Sequence, residues 1–178
     1  MTCLKRFSKK TLLDIDEEAY LVLGTVEPKP KIVIVGGAAF MLRDLTQRSV
    51  THDIDVLSIE DSVREIVSHY PQVNGSVVAY MDQIPYNYED RFVRLDLNTK
   101  VIEFITPSTE DLAVMKLYAF RPNDLQDLES IANNNLLDWD MLEYLIYDNN
   151  EAKASALSER SYKEMVHSYE IFKERCKR

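Results

Sequence analysis

The chain has 178 residues, 46% of them hydrophobic, which suits one globular domain with a real core and a helical extension. No apolar run approaches the roughly 18 residues needed to cross a membrane, and the opening MTCLKRFSKK is charged without the apolar core of a signal peptide. The net charge of −9 is uneven: residues 1–10 carry four basic and no acidic side chains, 161–178 five basic and three acidic, and 11–160 hold 12 basic against 27 acidic. Such a body repels nucleic acid except where a basic patch or a metal intervenes. Cys3 and Cys176 stand near opposite ends without a CxxC spacing, which points to reduced thiols in a cytoplasmic protein.

In chain order, Ser8 is placed to cap a helix over 9–23, with Leu12, Leu13, Ala19, Leu21 and Val22 as its apolar contacts. EPKP (27–30) is a stiff break before KIVIVGG (31–37), a continuous apolar strand that ends in two glycines. AAFMLRDLTQR (38–48) has helical composition, HDIDVLSI (52–59) reads as a second strand, and EDSVREIVSHY (60–70) as a helix. NGSVVAYM (74–81) opens on a turn dipeptide and continues as a strand, and residues 91–105 form a hairpin with NTK at its tip. From Ser108 onward the chain is helical: STED offers a capping pattern, Pro122 starts a second helix, Asp138 caps a third, and 152–176 forms a fourth. The expected fold class is therefore α/β (α+β). A small mixed β-sheet with an N-terminal helix occupies 1–107, and a helical half over 108–178 packs with it as one compact unit.

Two motifs carry chemistry. A strand that ends in VGG and runs into a helix leaves backbone N–H groups where Gly36 and Gly37 have no side chains to keep an anion away. A tight turn that merely needs glycine is the plainer reading of the pair alone. In VTHDIDVL (50–57), Asp53 and Asp55 share one face of an extended segment and stand about 7 Å apart along it. Like charges held that close call for a cation between them. Mg²⁺ takes oxygen ligands and prefers carboxylates together with substrate phosphates, so a glycine seat beside an Asp-x-Asp pair suits a nucleoside triphosphate and Mg²⁺ (or Mn²⁺).

At these residues the sequence resembles the DNA polymerase β-like nucleotidyltransferase superfamily, whose signature is an apolar residue and Gly-Gly or Gly-Ser, a helix, then Asp-x-Asp between apolar residues. Here VGG (35–37) and DIDV (53–56) are joined by 15 residues, and RSVTHDID (48–55) is similar to the bacterial Arg-x-Thr-x-Asp-x-Asp run with one extra residue between Arg48 and Thr51. Residues 108–131 resemble the helical motifs of AbiEii-type toxin nucleotidyltransferases: Lys116 is followed by Phe120 and Asp127 by Ile131, with Asp124 as the other candidate acid. Lys116 also falls on the apolar stripe of Leu112, Ala119 and Phe120, where a lysine is costly unless it meets a triphosphate or one of the aspartates. Its removal is expected to weaken NTP binding and leave the fold intact.

The resemblance implies a metal-dependent nucleotidyltransferase that moves an NMP from an NTP to a hydroxyl of tRNA or protein, as the toxin of a toxin–antitoxin pair with a cognate antitoxin. It implies Gly36 and Gly37 at the triphosphate, Asp53 and Asp55 on the metal, Lys116 on phosphate, and Asp127 or Asp124 orienting the nucleotide or Lys116. A third carboxylate is expected at Asp96, with Glu103 as the alternative. The competing readings are a catalytically degenerate fold serving as a binding or antitoxin subunit, and an Asp-x-Asp glycosyltransferase, which leaves the strand–GG–helix unexplained. His52 points away from the two aspartates in a regular strand, and His69 and His167 lie in helical stretches without metal-ligand neighbours. Tyr80, Tyr86, Tyr88 and Phe92 could stack on a base, although packing beneath a loop is the commoner fate of such residues.

Overall fold

In the computed structural model the apolar run KIVI (Lys31–Ile34) is β1, the middle strand of a five-stranded sheet ordered β3-β2-β1-β5-β4. β2 (Ile54–Ile59) runs antiparallel to it, and β5 (Glu103–Thr106) runs parallel. β3 (Val73–Asn74) is parallel to β2, and β4 (Val93–Arg94) closes the other edge antiparallel to β5. The structure describes residues 3–47 and 53–176, apart from the side chains of 3–7 and 76–79. Arg48, Thr51 and His52 of the sequence reading lie outside the described residues. Ile32, Val33 and Ile34 are buried in succession, so β1 is covered on both faces of the sheet, which is why it is an unbroken apolar run rather than an alternating one.

The chain divides into two compact units. The first comprises residues 1–44, 48–78 and 93–106, the second residues 45–47, 79–92 and 107–178. In the first, α1 (Cys3–Leu23) packs on α2 (Gly36–Leu42) and α3 (Asp61–Ser68), burying Leu12, Ile15 and Ala19. In the second, α4 (Thr109–Ala119) is flanked by α5 (Pro122–Asn133), α6 (Trp139–Tyr147) and α8 (Glu159–Cys176), with the short α7 (Ala152–Ser155) beside α6. Helix on several sides leaves Leu112, Ala113, Val114 and Leu117 fully buried, so α4 is apolar nearly all round. Trp139 stacks on Phe172, centroids 5.3 Å apart, and ties α6 to α8.

The capping signals hold where local chemistry decides. Ser108 Oγ accepts from Asp111 N at 3.0 Å while Asp111 returns a bond to Ser108 N, Pro122 opens α5, and Asp138 caps α6 through Met141 N. Four expectations change. The first helix reaches back to Cys3, so Ser8 is a buried position within it and not its cap. α2 stops at Leu42 and not at 48, with the left-handed Asp44 (φ 58°) two residues beyond it. The expected strand over 74–81 is two residues long and gives way at Gly75, a poor strand residue, to 3₁₀ turns over Gly75–Gln83. Residues 152–176 break into α7 and α8 because Ala156 turns extended (φ −58°, ψ 131°).

Buried charges fix segments that lack regular structure. Asp16, on the inner face of α1, accepts backbone N–H bonds from Lys100 (2.6 Å), Val101 (2.9 Å) and Ile102 (2.7 Å), which clamps the tip of the β4–β5 hairpin. In the helical unit Arg91 reaches Asp111 and Glu151, both at 2.9 Å, and holds the 79–92 segment to α4 and to the start of α7. Burial disfavours the Arg91 charge, yet the hydrogen bonds of the two carboxylates outweigh it and raise its pKa. Replacing Asp16 with Ala strands three backbone donors and should lower unfolding free energy by about 3 kcal/mol. Urea denaturation checks this, and a loss under about 1 kcal/mol would show the clamp to be dispensable.

Candidate active site

β1 and β2 pair in register from Ile32–Ile59 to Val33–Ser58, then slip so that Ile34 faces Val56. The slip is a bulge at Leu57, and the burial alternation along β2 reverses there: Ile54 and Val56 are buried before it, Leu57 after it. The bulge lets both halves of the strand keep their apolar residues inside while Asp53 and Asp55 point the other way. Asp53 is exposed just before β2; Asp55 is half-buried within it.

Asp55 is held from several sides. Its backbone carbonyl accepts from Val35 N at 2.9 Å, which places it where β1 ends. Its Oδ1 accepts from Asn74 Nδ2 at 3.1 Å, across the parallel β2–β3 pair. Its Oδ2 lies over Gly36, where an added Cβ would come within 2.7 Å of it. Gly36 also adopts φ +64°, a left-handed conformation that glycine enters without strain. The glycine is therefore required twice, for the turn into α2 and for the carboxylate seated on it.

Asp53 and Asp55 are the residues of this unit that could hold a divalent cation. Among the described residues no group of three or more His, Cys, Asp or Glu side chains gathers as a metal site. A closed, all-protein cage is thus not what this arrangement offers, and Mg²⁺ does not need one, because it is commonly bound by one or two carboxylates plus substrate phosphates and water. The sheet register places the expected third acids elsewhere. Glu103 faces Lys31, at the opposite end of β1 from Gly36, and is within 3.5 Å of Arg94. Asp96 is exposed beyond the bond from Leu95 N to Phe104 O, toward that same end.

In the helical unit Lys116, Asp124 and Asp127 form one buried cluster. Lys116 Nζ lies 2.9 Å from Asp124 Oδ1 and 2.7 Å from Asp127 Oδ2, with all three side chains under a tenth exposed. Thr46 donates to the other Asp127 oxygen at 2.7 Å, and Arg121 Nε reaches Asp124 at 2.8 Å. Helical spacing brings Asp124 and Asp127 to one face of α5, opposite the inner face of α4. Of the two partners considered for this inward lysine, the structure supplies the aspartates. Burial raises the Asp124 pKa, but the charges of Lys116 and Arg121 more than reverse it and hold it below the usual carboxylate value.

A family model matches residues 10–177, that of DUF6036, described as a nucleotidyltransferase of unknown function. The chain belongs to this nucleotidyltransferase family. No curated protein and no solved structure matches it.

The remaining sequence candidates divide by burial. Tyr88 is packed inside, edge-on to Phe92 at 5.6 Å, whereas Tyr80 and Tyr86 are exposed. His69 sits on the surface against Glu18 at 2.7 Å. Asn74 and the Leu57 bulge are the features the sequence reading missed; the only hint of Asn74 was its place in a turn dipeptide.

Gly36→Ala should cost about 1–2 kcal/mol from the left-handed backbone alone and push the Asp55 carboxylate off its seat. Chemical denaturation measures the first, and a variant as stable as the parent would mean the turn relaxes. For Lys116 the buried cluster argues against an intact fold on its removal, because two buried carboxylates would lose their counter-charge. Lys116→Met should destabilise by about 3 kcal/mol at neutral pH. The depressed Asp124 pKa means that its contribution is present above the ordinary value of 3.8 and lost as pH falls below it, so the gap between variant and parent should narrow there. A gap independent of pH would assign the loss to packing.

Proposed function

We propose that this chain is a metal-dependent nucleotidyltransferase that transfers an NMP from an NTP to a hydroxyl acceptor on tRNA or protein, as the toxin of a toxin–antitoxin pair acting in the cytoplasm with a cognate antitoxin. The observation that carries the reading is the Asp55 carboxylate seated on the Gly36 turn, with Asp53 two residues before it. Asp53 and Asp55 hold Mg²⁺ or Mn²⁺, and Gly36 and Gly37 face the phosphates. A cation bound there supplies Lewis-acid charge to the attacking hydroxyl and the leaving group. The acceptor oxygen bonds to the α-phosphorus, the α–β phosphoanhydride bond breaks, and pyrophosphate and a proton leave. Lys116, oriented by Asp124 and Asp127, is the cation that the AbiEii-type resemblance assigns to phosphate. Asp96 is left out of the site.

The second reading is a catalytically degenerate fold that serves as a binding or antitoxin subunit. It draws on Lys116, whose charge is already met by two aspartates. Incubation with each NTP, Mg²⁺, and candidate tRNAs or proteins separates the two. Transfer should appear as an acceptor mass gain of one NMP, and Asp55→Ala should lower its rate by at least about a hundredfold, since losing a metal ligand removes several kcal/mol of transition-state stabilisation. NTP with Mg²⁺ should raise the melting temperature of the parent and not of the Asp53→Asn, Asp55→Asn double variant. Expression without a partner should slow bacterial growth, and Asp55→Ala should restore it. Stabilisation by nucleotide without transfer to any acceptor supports the second reading, and stabilisation that survives the double variant moves the cation elsewhere.

A further inference from the structure

We infer that Asn74 is a positioning residue of the Asp53–Asp55 site: its side-chain amide pins Asp55 in the orientation that receives the cation. The inference rests on the metal-site reading above and adds a residue to it.

Asn74 is the last residue of β3 and the parallel-pair partner of Asp55, one strand spacing away. An ionised carboxylate only accepts hydrogen bonds, so the amide must turn its Nδ2 toward Asp55 Oδ1; the reverse flip would set two acceptors 3.1 Å apart. Asn74 is exposed, so core packing does not call for it there, and the turn at Gly75 that favours asparagine does not require its amide to point at Asp55. Its side-chain amide reaches the acid.

The consequence is a carboxylate with both oxygens placed. The amide fixes Oδ1 from the β3 side, and Oδ2 lies over Gly36. Rotation about the side-chain torsions of Asp55 is thereby restricted before any ligand arrives. The amide is neutral, so it orients Asp55 without adding to the like-charge repulsion between the two carboxylates, as a third acid would. This fits the register, which carries Asp96 and Glu103 to the opposite end of the sheet. Partners of this kind behind a metal ligand are commonly worth 10–100-fold in affinity.

The test is Mn²⁺ alone, titrated by electron paramagnetic resonance on the full chain, with melting temperature recorded for each variant. Asn74→Ala should bind Mn²⁺ about tenfold more weakly while melting close to the parent. Asn74→Ser, whose hydroxyl stops short of Asp55, should show the same loss and serves should the alanine variant fold poorly. Asp55→Asn is the control for the underlying reading. If it abolishes Mn²⁺ binding while both Asn74 variants bind like the parent, the positioning role is overturned and the metal site stands. If Asp55→Asn binds Mn²⁺ unchanged, the metal site itself falls. A lower melting temperature with unaltered Mn²⁺ affinity would make Asn74 structural only.

Discussion

A carboxylate resting on a glycine organises the sheet unit. Asp55 can occupy its place only because position 36 lacks a Cβ, and the chain can turn from β1 into α2 there only because glycine accepts the positive φ. The bulge at Leu57 brings Asp55 opposite the end of β1, and β3 is just long enough to put Asn74 beside it. These four features constrain one another. A side chain at 36 displaces the acid, a regular register rotates it inward, and a shorter β3 removes the Asn74 bond to its Oδ1.

The buried charges elsewhere follow a different logic. Asp16, Arg91 and Asp127 each join segments far apart in sequence, and each does so where the backbone on one side is irregular. Asp16, on a rigid helix, accepts three backbone N–H groups of an irregular segment, whereas Arg91 and Asp127 act through side-chain bonds, to two carboxylates and to the Thr46 hydroxyl. Charge-assisted bonds of this kind are strong when complete and costly when broken, since the partner left behind keeps its desolvation penalty. That is why Lys116, inward on α4, reads best as one member of a balanced set. Any ligand that takes a share of its charge must leave Asp124 and Asp127 compensated.

The parts of this fold legible in sequence are those set by local chemistry or by continuous apolarity. The unbroken KIVI run announced a strand, Ser108, Pro122 and Asp138 announced helix starts, and VGG with DID marked the two segments that meet at Gly36 and Asp55. What escaped is set by partners distant in the chain. The two-residue β3 exists only against Ile54 and Asp55, so GSVVAYM, strand-like in composition, had no ladder to join beyond it. The bulge leaves no mark, because Val56 and Leu57 in succession read as a plain buried strand. Asp96 looked suitable from its Leu-Asp-Leu setting, but direction along a sheet, not neighbours in sequence, decides which end an acid reaches.

Charge bears on what acceptor such a site could use. The basic termini suggest a polyanion grip, yet many of their cations are engaged by acids: Lys10 with Asp14, Lys163 with Glu159, Arg175 with Glu129, and Lys173 with Glu143. Exposed pairs of this sort are weak and a phosphate can displace them, but each displacement leaves a carboxylate beside the phosphate that replaced it. The long-range field of residues 11–160 is negative as well. An RNA acceptor would therefore gain little from counterion release over a broad surface, and its binding would show a shallow salt dependence. On the reading proposed above, recognition would fall to short-range contacts around Asp53 and Asp55, and a protein or other compact hydroxyl acceptor would meet less electrostatic opposition there than an extended nucleic acid.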